Sequence, residues 1–126
     1  YSWWTAAIDE RVKAVAPIAG ITDLHDHVVE GVVSGHCDCM FMVNTYRWDY
    51  AQVAALVAPR PLLIGNTDRD SIFPLAGVVR VHRQVADIYK LLNAETNLAL
   101  LITEGPHKDT QDLQVPVLRW FNRFLK

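Results

Sequence analysis

The sequence predicts an α/β fold in which parallel strands alternate with helices, and three observations carry that expectation. Two continuous apolar runs, "RPLLIGN" and "TNLALLIT", have the character of strands buried on both faces, the first bounded by Pro and Gly. Between them, "LAGVVRVHRQVADIYKLLNA" sets Val78, Val81, Val85, Ile88 and Leu92 at helical spacing. The alternation of strand and helix then repeats along most of the chain, which is the signature of parallel crossover units.

Each element follows from its own pattern. Residues 1 to 8 read as the end of a helix, with Trp4, Ala7 and Ile8 on one side. "RVKAVAPIAG" follows, where Val12, Ala14, Val15 and Ala16 suggest a short strand that ends at Pro17 and Gly20. Residues 21 to 57 form a longer excursion with two helices, near 22 to 32 and 48 to 57. After the second strand, its helix and the third strand, "EGPHKD" reads as a loop. "LQVPVLRWFNRFLK" closes the chain as an amphipathic helix with Val117, Trp120, Phe121 and Phe124 inward. Three strands make a thin sheet, and one outer strand would leave an apolar edge unpaired. With no initiator Met and a start inside a helix, residues 1–126 are expected to be one partial domain, the C-terminal part of something larger.

Composition narrows the function classes. The 126 residues are 51% hydrophobic and 21% charged, an ordinary globular balance that allows one modest core. Net charge is −2 with no basic run, so nucleic-acid binding has no electrostatic footprint. No apolar segment approaches the length of a bilayer span, and "YSWWTAAIDER" lacks the basic-then-apolar order of a signal peptide. Cys37 and Cys39, one residue apart, are too close for a relaxed disulfide.

Polar residues just past strand ends are the candidates for chemistry. "NTDRDSIFP" places Asp68 and Asp70 after the second strand, and His107 follows the third. A carboxylate can hold an imidazole in one tautomer and stabilise its protonated form, which suits histidine for general-base work. Loop composition alone also favours both residue types, so the pair by itself leaves an incidental reading open.

"AAIDERVKAVAPIAG", "VAALVAPRPLLIGNTDRDSIFP" and "LITEGPHKD" together resemble the C-terminal half of an α/β-hydrolase. Within that superfamily the likeness is to the acetyl xylan esterase, dienelactone hydrolase and prolyl-oligopeptidase-like branch, over nearly the whole chain. The resemblance implies a triad acid four residues before a proline, a spacing that Asp70 has to Pro74 and Asp68 lacks. It implies the triad histidine at His107, and Asp68 as a turn residue shaping the loop, with Asp68 as acid the alternative. The order acid then histidine also fits the family. The family's G-x-S-x-G elbow is missing: Ser2, Ser34 and Ser71 lie in no such context, so the nucleophile is expected upstream of Tyr1.

What the resemblance implies for function is a serine esterase acting on a small-molecule or carbohydrate ester, without a cofactor. A peptidase and a non-catalytic binding module are the rivals. It also implies an extracellular or periplasmic setting if the likeness to polysaccharide esterases holds. Association with an N-terminal half, or with a second copy, is the expected partnership; no nucleic acid or membrane is expected.

The remaining polar clusters draw blander expectations. His36, Cys37, Asp38 and Cys39, with His25 and His27 nearby, could ligate a metal, but no second cysteine pair exists to complete a structural zinc site. No metal is expected there. Tyr46, Trp48 and Tyr50 are expected to anchor the excursion, and Trp3 and Trp4 to pack. His82, among Arg80 and Arg83, is expected to sit in solvent on a charged helix face.

Overall fold

The computed structural model describes residues 2–32 and 47–125. Along the chain run α1 (Ser2–Ile8), α2 (Leu24–Val28), α3 (Tyr50–Ala55), β1 (Leu62–Arg69), α4 (Leu75–Leu91), a 3-10 turn at Glu95–Asn97, β2 (Leu98–Pro106) and α5 (Gln111–Phe124). β1 and β2 pair in parallel, Leu62 opposite Leu98 through Thr67 opposite Thr103, with α4 as the crossover.

The expected first strand is present in reduced form. Val15 bridges Leu62 and Ile18 bridges Gly65, both in parallel, on the flank of β1 away from β2. The ladder breaks between the two bridges because Pro17 has no N–H to give, although its carbonyl accepts from Gly65 at 2.9 Å. The spatial order is therefore the 15–18 segment, β1, β2.

Helices cover both faces of β1. Leu62 and Ile64 belong to a core with Val78, Val81, Val85 and Tyr89 of α4, Tyr50 and Val53 of α3, and Trp3 and Ala6 of α1. The opposite face carries Gly65, against which Leu113 of α5 packs. The helical stripe of α4 runs through Tyr89 rather than the expected Ile88 and Leu92, which are exposed. Tyr89 wins that place because its hydroxyl reaches the Arg60 carbonyl, at 2.5 Å, while its ring fills the core. In α1 Trp3 and Ala6 are the buried residues, with the expected Trp4 and Ala7 packed part-buried against the same core; of the expected side only Ile8, 83% exposed, faces out. Trp3 is held there by its indole N–H, which donates to the Gly20 carbonyl.

Two polar devices fix the excursion. Asp49 caps α3 in a reciprocal box with Gln52, and the same Asp49 oxygen also accepts from Leu24 N at the start of α2. The guanidinium of Arg60 gathers the carbonyls of Ala6, Asp9 and Val12, closing the end of α1. The helix expected near 22 to 32 is shorter, Leu24–Val28. Residues 36 to 39, with Ser34 and Tyr46, lie outside the described residues. Among the described residues no helix is long and apolar enough to cross a membrane.

Candidate active site

The carboxyl ends of β1 and β2 bring Asp70 and His107 together. Asp70 leaves β1 in a tight loop that returns to α4 at Pro74. Its Oδ1 accepts from the amides of Ile72 and Phe73, each at 2.8 Å, so the carboxylate organises its own turn. Its Oδ2 lies 2.9 Å from Nδ1 of His107. The Asp70 side chain is fully enclosed, whereas that of His107 is 40% exposed. A carboxylate can only accept, so in the tautomer that makes this contact a hydrogen bond, Nδ1 carries the proton and Nε2 is the free nitrogen. Nε2 has no partner among the described residues. Phe73 stacks on the imidazole, with ring centroids 6.0 Å apart and planes 25° from parallel.

Neighbouring side chains hold these two in place. Asn66, buried in β1, donates from Nδ2 to the carbonyls of Thr67 and Phe73. Asp68 was expected in a turn; it lies within β1, which runs on to Arg69 because β2 continues beside it to Pro106. Asp68 Oδ1 accepts from Gly105 N at 2.8 Å, and Thr67 Oγ1 donates to the Pro106 carbonyl at 3.0 Å. Beside His107 opens a cleft of ≈ 640 Å³, lined also by Ile18, Ala19, Lys108, Asp109, Gln114 and Val117.

A second polar cluster stands between α2 and α4. Arg80 reaches Asp23 through Nε at 2.5 Å and Asp26 through a terminal nitrogen at 2.7 Å. Both carboxylates are buried, and Thr22 Oγ1 donates to Asp26. Burial acts to raise the Asp23 carboxyl, but the Arg80 hydrogen bond and the Asp26 amide outweigh it and hold Asp23 below the usual range. The same carboxylates push Arg80 further up. Gly77 of α4 is required here, since a Cβ would collide with Asp26 and Thr22.

Sequence reasoning missed this cluster because Asp23 and Arg80 are separated by 57 positions. Its one local signal is the Asp23 side chain capping α2. His82 is half-buried rather than solvated, and burial lowers its pKa from the ordinary 6.5. Among the described residues no three His, Cys, Asp or Glu side chains gather as metal ligands.

No family model matches the chain. In sequence it is 22% identical, over 125 residues, to YtaP of Bacillus subtilis (strain 168), a protein named only as a hydrolase; the match covers 98% of this chain and 42% of YtaP. Three solved structures are similar. Methylesterase BT1017 superposes with a TM-score of 0.73 at 21% identity, over 96% of this chain and 27% of its own. The glucuronoyl esterase catalytic domain from Hypocrea jecorina gives 0.72 at 15% identity, over 98% and 41%. A glucuronoyl esterase from Solibacter usitatus gives 0.73 at 16% identity, over 95% and 38%. The chain thus spans less than half the length of each of these proteins. Its fold is part of an α/β-hydrolase fold, as the sequence motifs implied.

Proposed function

We propose that this chain carries the acid and the base of a serine hydrolase that cleaves carboxylic esters on carbohydrates. One observation carries the reading: Asp70 and His107 meet at 2.9 Å at the carboxyl ends of adjacent parallel strands, leaving Nε2 open. The hydrolase and esterase names of the similar proteins support an ester substrate, and the glucuronoyl esterases among them support a carbohydrate one.

In this mechanism Nε2 of His107 takes the proton of a serine hydroxyl as the serine oxygen bonds to the acyl carbon. The imidazolium, held by Asp70, returns that proton to the departing alcohol. Water then bonds to the acyl carbon as its proton passes to Nε2, and the bond to the serine oxygen breaks as Nε2 returns that proton to it, releasing the acid. We place the serine on a segment outside this chain, because Ser2, Ser34 and Ser71 all lack the G-x-S-x-G context. No cofactor takes part.

The test is His107→Ala in the longer protein that contains this chain, assayed on aryl acetates and on methyl glucuronate esters. Turnover should fall by about 10³-fold or more, because triad members act as a unit. Near-wild-type turnover would overturn the assignment.

A further inference from the structure

We propose that Asp68 is a positioning residue that sets the reach of His107 toward Asp70. The proposal rests on the functional reading above, and its geometry begins in the strand register. Thr67 pairs with Thr103 and Arg69 with Pro106, so Asp68 alone faces both Glu104 and Gly105. β2 therefore carries one extra residue at that point, a bulge that bends the strand just before His107.

A bulge takes a backbone amide out of the ladder. Gly105 is buried, and with φ at +135° it adopts a conformation that side-chain-bearing residues rarely reach. Its amide would have no strand partner to replace the lost bond. The Asp68 carboxylate supplies one at 2.8 Å, and Thr67 Oγ1 ties down the next carbonyl, that of Pro106. Two consecutive β1 side chains thus clamp the two residues that precede His107. The bulge turns the chain, and the clamp holds that turn at the angle that brings Nδ1 to 2.9 Å from Asp70.

The same geometry separates the two aspartates. Asp70 spends one oxygen on its own loop and the other on His107, while Asp68 spends Oδ1 on the histidine strand. What position 68 must provide is an acceptor at the right reach. Asparagine offers that acceptor and alanine does not.

The experiment compares Asp68→Ala and Asp68→Asn in the longer protein containing this chain, by two readouts. One is the downfield proton resonance of a hydrogen-bonded Nδ1–H on His107, assigned by its absence in His107→Ala. The other is kcat and KM separately. The resonance should be lost or shifted in Asp68→Ala and retained in Asp68→Asn. On the ester substrate, Asp68→Ala should lower kcat by about 10- to 100-fold at unchanged KM, the scale of a small misplacement of a reacting group. A wild-type resonance in Asp68→Ala would overturn the proposal whatever turnover does. Equal loss in both variants would overturn the acceptor role. If no protein turns over ester but the resonance follows the expected pattern, the positioning stands and the esterase reading falls. Should the alanine protein not fold, Asp68→Ser, whose hydroxyl stops short of the amide, takes its place.

Discussion

The side-chain amide of Asn66 donates to the main-chain carbonyl of Phe73, seven residues further on, at 2.8 Å. That bond closes the loop on which Asp70 stands and brings the Phe73 ring against His107. Asn66 is 1% exposed, and its replacement removes a buried donor that serves both the Thr67 and the Phe73 carbonyls. Asn66→Leu, which keeps the branched outline but is bulkier and has no donor, should lower the unfolding free energy by about 1–3 kcal/mol. Urea titration measures it. An unchanged midpoint would mean that Pro74 and the Asp70 turn close the loop unaided.

If the proposed reading holds, Asp70→Asn should reduce ester turnover by about 10³- to 10⁴-fold, with little loss of stability. An asparagine can still accept from Ile72 and Phe73, but it can turn an N–H toward Nδ1 and select the wrong tautomer. Steady-state kinetics beside a thermal melt separate the two effects. Asp68→Asn should stay within a few-fold of wild type; the reverse ranking would exchange their roles.

The order of elements and the Asp70–His107 pair were legible because both rest on local pattern. Apolar runs mark buried strands, and D-x-x-x-P before α4 with a histidine after β2 marks the two residues that meet. Other features depend on distant partners. Asp68 reads as a turn residue until β2 is placed beside it, because only pairing reveals the extra residue at Gly105. "RVHRQ" reads as a solvated face because nothing local says that Arg80 meets Asp23 and Asp26. The stripe of α4 was misjudged at Tyr89 for the same reason: its polar end finds a carbonyl 29 positions away.

Arg80→Met should destabilise the protein by about 2–3 kcal/mol. Removing one partner of a fully buried ion pair costs about 3–5 kcal/mol, and Arg80, with 38% of its side chain exposed, sits below that range. The loss falls on two enclosed carboxylates at once, Asp23 and Asp26, and loosens α2 from α4. Chemical denaturation gives the size, and hydrogen exchange at Asp26 and Val29 amides gives the place. A variant as stable as wild type would show that water replaces the guanidinium at no cost.

Acid should weaken the fold in two separable steps. His82 has a lowered pKa, so as pH falls below about 6.5 the unfolded chain binds a proton that the native state resists. Stability from this group is full above that pH and declines below it. Asp23 is also lowered, so its contribution is full above the ordinary carboxylate pKa of 3.8 and is lost as pH falls through its folded value. Unfolding free energies from pH 8 to 3 should therefore slope first near 6 and again below 4. His82→Gln should remove only the upper slope and Asp23→Asn only the lower. A wild-type upper slope in His82→Gln would assign it elsewhere.

The 126-residue chain by itself should show no ester turnover and should self-associate. On the proposed reading it carries the base and its orienting acid but no serine in a G-x-S-x-G context, so no activated oxygen faces Nε2 of His107. The physical consequence lies at the 15–18 segment. Val15, Pro17 and Ala19 turn their backbone bonds toward β1, so Ala16, between them, points its N–H and carbonyl to the other flank. Among the described residues nothing pairs with that flank. An open parallel edge flanked by Val15 and Ile18 is a template for another strand, and a second copy offers one. Sizing chromatography with light scattering should give a dimer or larger. A clean monomer would mean that another segment of the chain covers the edge. Turnover by that monomer, sensitive to a serine-directed phosphonate, would return attention to Ser2, Ser34 and Ser71.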